Sequence, residues 1–104
     1  LAGCSDKQVT DVVEAISDAI DIGAPLYNRG DIEACFRIYE GTSSKLERDP
    51  PCKGIGKAFG DGLLRASTLA TYKEKAWALR DTFDGLIDVA KRRGARPNAG
   101  KTTP

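Results

Sequence analysis

With 104 residues, the chain is long enough for one domain with a single modest core. It has no histidine and no methionine, which removes the commonest general base, the commonest metal ligand and two common haem ligands. The net charge is +1, but five of the 16 basic residues follow Asp88, so residues 1–90 carry 11 basic against 15 acidic groups. An acidic body with a basic end is not typical of a nucleic-acid-binding domain, so we expect no nucleic-acid partner.

The chain begins with Leu1-Ala2-Gly3-Cys4 and turns polar at Ser5. This tetrapeptide resembles the lipobox of bacterial lipoproteins, in which a signal peptidase cuts before a cysteine that carries lipid. The resemblance implies that Cys4 is acylated and that the protein is anchored in the bacterial cell envelope, facing the periplasm or the exterior. Residues 1–9 are then lipobox and tether. The alternative is a chance match at the edge of a domain cut from a larger protein.

A first helix is predicted after this tether, because apolar residues recur there at helical spacing. Thr10 or Asp11 is the predicted N-cap. Pro25 falls late in the run and should kink the helix near Ile22, or end it and leave a further turn. The apolar positions are Val9, Val12, Val13, Ile16, Ala19, Ile20 and Gly23.

A second helix is predicted after a turn at residues 28–31, in which Gly30 suits a left-handed conformation and Asp31 can cap. This helix should fray between Gly41 and Arg48, and Asp49-Pro50-Pro51 is a firm break. Its apolar face consists of Ile32, Cys35, Phe36, Tyr39 and Leu46.

The first two helices together resemble one unit of the tetratricopeptide (TPR) repeat, over about 30 residues. With Gly30 as the turn glycine, the matching positions are Ile22, Gly23, Leu26, Cys35, Tyr39 and Thr42. The closing proline is displaced to Pro50, Ala19 replaces an aromatic residue, and residues 53–93 show no second copy. The resemblance implies a helical hairpin and, by analogy, protein binding.

Two further helices complete the prediction. The third carries Ile55, Ala58, Phe59, Leu63 and Ala66, and its glycines at 54, 56, 60 and 62 are interpreted as allowing close helix contact. The fourth starts at a Thr71–Glu74 capping box and should stop at Gly94. Its seam is Tyr72, Ala76, Leu79, Phe83, Leu86, Ile87 and Ala90. Residues 94–104 are predicted to be a disordered basic tail, either solvated or touching anionic lipid.

The cysteines are the first candidate sites. If Cys4 carries lipid, Cys35 and Cys52 are left as a pair in an oxidising compartment, and we expect them to form a disulfide. This disulfide can form only if the second helix ends early, near residues 42–45, because each further helical residue moves the chain about 1.5 Å away from Cys35. The alternative is that Cys35 is a packing residue and Cys52 a free thiol.

Trp77 is the only tryptophan, and it lies one residue away from the seam of the fourth helix. It either packs under a neighbouring helix or serves as a partly exposed anchor in a binding surface with Arg80 and Asp84. Arg80 and Asp84 are spaced to pair at i,i+4.

These observations predict a single all-α domain over residues 10–93, a four-helix antiparallel bundle with a TPR-like first hairpin. The expected function is a small lipid-anchored extracytoplasmic module that binds another protein or has a structural role in the envelope, without catalytic residues, metal or cofactor. One alternative is an envelope ligand-binding protein or enzyme with an interhelical pocket. Another is a cytosolic TPR-like adaptor with three reduced cysteines.

Overall fold

The structure is a computed structural model that describes the backbone of residues 3–102 and the side chains of residues 3–93. Residues 1, 2, 103 and 104, which include the first half of the lipobox-like tetrapeptide, lie outside the described residues. Residues 3–102 form four α-helices and no strand, which confirms the predicted all-α bundle. The helices are α1 Asp6–Asn28, α2 Ile32–Arg48, α3 Lys53–Ser67 and α4 Tyr72–Thr102.

Consecutive helices run antiparallel, and α2 packs against the three others. The start of α1 lies beside the end of α2, where the Gln8 side-chain amide donates to the Pro51 carbonyl at 2.8 Å. Helices α1 and α3 lie on opposite sides of the α2–α4 pair and have no contact with each other in the described part of the chain. Side chains at the middle of α2 and α4 therefore form the centre of the molecule.

The core is built on aromatic rings from three helices. Phe83 of α4 lies edge-on to Tyr39 of α2, with ring centroids 5.1 Å apart, and to Phe59 of α3 at 6.0 Å. The edge-to-face arrangement is the one that aromatic quadrupoles favour. The largest fully buried residues are Phe59, Phe83, Ile16, Ile55, Leu79, Cys35 and Ser43.

Two glycines bring helices close together. A Cβ atom at Gly62 of α3 would lie 2.5 Å from the Thr82 Oγ1 atom of α4, and one at Gly23 of α1 would lie 2.5 Å from the Tyr39 Cε1 atom. Neither distance is tolerated by packed atoms. The prediction that glycines allow close helix contact is thus confirmed at Gly62.

The start of α1 differs from the sequence prediction. The helix begins at Asp6, and its N-cap is Ser5, not Thr10 or Asp11. The Ser5 hydroxyl accepts a hydrogen bond from the Gln8 backbone N–H at 3.1 Å, and the Gln8 side chain accepts from the Ser5 N–H at 2.7 Å. This reciprocal capping box moves the helix start to within two residues of Cys4, so the predicted tether up to residue 9 is mostly helix.

The turn after α1 agrees with the sequence prediction only in part. Pro25 does not end α1, which continues to Asn28, and Gly30 has a positive φ of 94° as expected for the turn glycine. Asp31 occupies the N-cap position of α2, but its side chain makes no capping hydrogen bond. The start of α4 agrees with the prediction. The Thr71–Glu74 capping box is present: the Glu74 N–H donates to Thr71 Oγ1, and the Thr71 N–H donates to Glu74 Oε1, both at 3.1 Å.

The end of α4 differs from its predicted stop. The helix passes through Gly94 and extends to Thr102, in the range predicted to be a disordered tail. A glycine inside a helix lowers its stability by about 1 kcal/mol relative to alanine, but it does not prevent the helix from continuing. The side chains of the predicted basic tail lie outside the described residues.

Candidate functional site

Trp77 lies on the outer side of α4, where it packs and remains exposed at the same time. Its ring is edge-on to the Tyr27 ring of α1, with centroids 5.8 Å apart and an interplanar angle of 77°. Its indole N–H donates to the Tyr27 hydroxyl at 2.9 Å. Nevertheless, 47% of the residue is exposed. Both interpretations of Trp77 thus describe part of its environment, since one edge of the ring is fixed and the rest faces outward.

Arg80 lies one turn along α4 and is fixed by two neighbours. Its Nε atom donates to Asp84 Oδ1 at 3.0 Å, which is the predicted i,i+4 pair. Burial lowers the pKa of the Arg80 guanidinium, whereas hydrogen bonds to Asp84 and Tyr39 raise it, and the net direction is upward. The arginine therefore stays charged, with 29% of its side chain exposed against 52% for Asp84.

Cys35 is a buried free thiol, 1% exposed, and it is close enough to Arg80 to feel its charge. Burial raises the pKa of this thiol above its ordinary value of 9.0, although the Tyr39 hydroxyl and the Arg80 charge act in the other direction. The pKa of Tyr39 is also raised, chiefly by burial and then by its hydrogen bond with Cys35. Both groups are neutral at pH 7, so Cys35 is protonated there and is a poor nucleophile.

These side chains surround a cleft between α1, α2 and α4, which we call the Trp77 cleft. It has a volume of about 190 Å³ and is lined by Ala24, Tyr27, Asn28, Tyr39, Ala76, Trp77 and Arg80. Gly23 makes room for the Tyr39 ring on the inner side of the cleft. Arg80 is the one charged residue in this lining. Three larger grooves, of about 310 to 520 Å³, lie elsewhere on the described surface, and the lining of each includes at least one carboxylate.

A second feature lies at the opposite end of α1, where Cys4 and Cys52 form a disulfide with Cα atoms 5.4 Å apart. Arg93 of α4 reinforces this end, because its guanidinium donates to the Cys4 carbonyl and contacts the Asp6 carboxylate at 3.2 Å. The Trp77 cleft is about 30 Å away along α1 at 1.5 Å per residue. The two features are therefore separate sites.

The predicted Cys35–Cys52 disulfide is wrong, because the structure pairs Cys52 with Cys4 and leaves Cys35 free. That prediction required α2 to end near residues 42–45, but α2 continues to Arg48. Thirteen helical residues after Cys35 carry the chain about 20 Å away, so the four residues from Arg48 to Cys52 would reach bonding distance only if they ran fully extended straight back along α2. In the structure Cys52 is instead the N-cap of α3. The alternative is correct for Cys35, which is a buried free thiol, and wrong for Cys52, which is bonded to Cys4 and is not a free thiol.

The sequence prediction named Trp77, Arg80 and Asp84; the first two line the cleft, Asp84 pairs with Arg80 from outside the lining, and the other polar and aromatic groups of the lining were not predicted as site residues. Tyr27 is 50 positions away from Trp77, and no local pattern connects the two. Asn28 was assigned only to the turn. Tyr39 was recognised as part of the α2 face and of the TPR-like pattern, and its contact with Gly23 could have been anticipated from that pattern.

The described residues contain no group of three or more histidine, cysteine or acidic side chains arranged to hold a metal ion. None of their helices combines the length and apolarity needed to cross a bilayer. The fold and the cleft together define the protein as an all-α four-helix bundle with an interhelical aromatic cleft. Comparisons of the chain with protein-family models, curated proteins and solved structures found no match.

Proposed function

We propose that this chain is an extracytoplasmic helical module that binds another protein through the Trp77 cleft, without catalysis of its own. The observation that carries the proposal is the state of Trp77, which is half exposed and yet held in place by a ring contact and a hydrogen bond to Tyr27. A fixed aromatic side chain loses little conformational entropy when a partner covers it. Tryptophan and arginine, the two prominent residues of the cleft, are enriched at binding hot spots.

The size of the cleft favours one side chain or terminal residue of a protein partner over a complete small molecule. Small-molecule sites occupy about 300–1,000 Å³, whereas the Trp77 cleft has about 190 Å³. The alternative of an envelope ligand-binding protein would use the same cleft for a smaller ligand. Catalysis is a weaker candidate because the chain has no histidine and its free thiol is buried and protonated.

Two features support a location outside the cytoplasm. The Leu1 to Cys4 segment resembles a lipobox, and Cys4 and Cys52 are joined as expected for an oxidising compartment. A lipid thioether and a disulfide use the same Cys4 sulfur, so a single molecule carries one or the other. Both forms belong to an exported protein, whereas the cytosolic adaptor has three reduced cysteines.

The lipid anchor at Cys4 remains part of the proposal. A diacylglyceryl thioether and acyl chain do not fit a residue that is 6% exposed, so the anchored form requires Cys4 to leave its position beside Cys52. Intact mass and membrane fractionation of protein from the native host distinguish the two forms. Membrane-bound protein with added lipid mass identifies the anchored form, soluble protein lacking two hydrogens identifies the disulfide form, and soluble, fully reduced protein contradicts export.

The single TPR-like hairpin also remains a proposal. Its support is the close approach of Gly23 in α1 and the Tyr39 ring in α2, two of the positions that match the repeat. In this interpretation the cleft opens at the end of the hairpin and uses α4 as its third wall.

The test is a Trp77→Ala variant used as bait for partners in the native envelope, beside wild type and a matched Leu64→Ala control. Leu64 is 68% exposed on α3, so its truncation also removes exposed apolar surface but lies outside the cleft lining. We expect a partner that wild type and Leu64→Ala retain and that Trp77→Ala binds at least about 30-fold more weakly, the loss typical of a hot spot. Equal retention of every partner by all three proteins contradicts the proposal.

A further inference from the structure

The charge of the Trp77 cleft indicates the chemistry of its ligand. Arg80 is the charged residue of its lining, and no carboxylate of the described residues shares that lining. The three larger grooves combine carboxylates with cations: Asp6 and Glu14 lie with Lys91 and Arg93 in one, Asp18 with Arg37 and Lys45 in another, and Glu40 with Arg37 and Lys75 in the third. The Trp77 cleft differs because its single charged lining residue is a cation, and the Asp84 carboxylate that pairs with this cation lies outside the lining. A group with negative charge is favoured there and a cation is not.

The polar groups of the cleft are mainly donors. A guanidinium has five N–H donors and no acceptor, and the hydrogen bonds of Arg80 to Asp84 and Tyr39 leave some of these donors for a ligand. The Tyr27 hydroxyl accepts the indole proton of Trp77 and keeps its own O–H for donation. Asn28 adds a side-chain amide to the lining. A carboxylate, which accepts several hydrogen bonds and pairs with the planar guanidinium fork, complements this set.

The remaining walls are apolar and small. Ala24 and Ala76 line the cleft beside the Tyr27 and Trp77 rings, so a ligand that fills it needs apolar surface next to its carboxylate. A C-terminal residue with an aliphatic side chain has both groups on one Cα atom. Aspartate or glutamate within a chain places its carboxylate at the end of a short stem and has no separate apolar branch.

We propose that the Trp77 cleft binds the C-terminal residue of a partner polypeptide, with Arg80 pairing its α-carboxylate and the aromatic walls covering an aliphatic side chain. This inference rests on the proposed protein-binding function and specifies its ligand. Asp84 is then a positioning residue, because it holds the Arg80 guanidinium from outside the cleft lining.

The sole tryptophan provides the measurement, since Trp77 is at the cleft and its fluorescence reports on binding there. The probes are N-acetyl-leucine, N-acetyl-leucinamide and N-acetyl-isoglutamine, which carry an α-carboxylate, no carboxylate and a side-chain carboxylate respectively. We expect the first to bind about tenfold or more tightly than either of the others, as loss of a charged hydrogen bond implies. Added salt should weaken binding of the first probe and leave the neutral amide nearly unchanged.

Two variants give the matched comparison. Arg80→Gln should remove the preference for N-acetyl-leucine, whereas Arg92→Gln should retain it, because Arg92 forms a similar i,i+4 pair with Asp88 on the same helix but outside the cleft. Equal binding of the acid and the amide, tighter binding of N-acetyl-isoglutamine, or an unchanged preference in Arg80→Gln overturns the inference.

The result also separates this inference from the proposed function. If partner capture depends on Trp77 while the amide binds as well as the acid, the carboxylate assignment is wrong and the protein-binding function stands. If Trp77→Ala retains every partner and no probe binds, both are wrong.

Discussion

At the scale of single residues, the Trp77 cleft depends on side chains that each satisfy two neighbours. Tyr39 contacts the Phe83 ring in the core and lies beside both Cys35 and Arg80. Tyr27 holds Trp77 through its ring and its hydroxyl. Because these contacts are already formed, a partner would meet an organised surface.

Local sequence patterns predicted those parts of the cleft that lie within one helix. The Arg80–Asp84 pair followed from i,i+4 spacing, whereas the position of Trp77 one residue from the seam left both packing against a neighbouring helix and partial exposure open. The Tyr27–Trp77 contact did not follow, because it depends on how the end of α1 packs against α4. Contacts between positions 50 residues apart need the tertiary arrangement, which helical spacing alone does not provide.

The cysteine assignment gives a prediction at the same scale. Native protein without reductant should incorporate no iodoacetamide at pH 8, because Cys4 and Cys52 are paired and Cys35 is buried. The sign of the pKa shift acts in the same direction: burial raises the pKa of Cys35, so its thiolate forms only at higher pH than in the unfolded chain. In denaturant without reductant, one label per chain should appear in the mass spectrum.

Peptide mapping identifies the labelled cysteine, and a Cys35→Ala variant should take up no label in denaturant. A label on Cys4 in the native protein would instead favour the Cys35–Cys52 pairing. Three labels in denaturant without reductant would mean that no disulfide forms.

At the scale of elements, α1 shows how a capping signal competes with the apolar pattern. Val9 is the first apolar position of the stripe, so Thr10 and Asp11 were the nearest candidates for a cap. Ser5 and Gln8 stand three residues apart and form a reciprocal box that starts the helix earlier. Thr71 and Glu74 form a box of the same kind, which was predicted from the usual residue pair. The Ser5–Gln8 pair fits the same motif, which takes glutamate or glutamine, but both residues come before Val9, where the apolar stripe begins.

Removal of the first capping box should destabilise the protein measurably. Ser5→Ala removes the side-chain acceptor of the Gln8 N–H and should lower the free energy of unfolding by about 1 kcal/mol. Thr10→Ala is the matched control, since Thr10 is an exposed residue inside α1, and it should be neutral or slightly stabilising. Urea unfolding followed by circular dichroism measures both. A larger loss for Thr10→Ala than for Ser5→Ala would contradict the observed start of α1.

At the scale of the whole molecule, the up-down-up-down order of helices could be predicted from short connections and helical periodicity. The contacts that hold the helices together at the Cys4 end of the bundle could not be predicted in this way. There the start of α1, the loop before α3 and the last described side chain of α4 meet, through the Cys4–Cys52 bond, the Gln8–Pro51 hydrogen bond and Arg93. Each of these contacts joins distant parts of the chain. The lipobox resemblance also assigned Cys4 to lipid and removed it from consideration as a disulfide partner.

The Cys4–Cys52 bond should contribute much of the stability of the unacylated domain. It closes a loop with a sequence separation of 48 residues, for which the chain-entropy model gives about 4 kcal/mol. Reduction should therefore lower the free energy of unfolding of the wild-type protein by about that amount, measured by urea denaturation with and without reductant. A Cys52→Ala variant should have a free energy of unfolding near that of reduced wild type and show no further response to reductant. A Cys35→Ala variant should lose packing energy but keep the full response to reductant.

The lipid-anchored form also lacks this bond, because its Cys4 sulfur is occupied, so it should have the lower stability of reduced wild type. A reductant response that persists in Cys52→Ala, or that disappears in Cys35→Ala, would contradict the Cys4–Cys52 pairing and with it this account of how the bundle is closed.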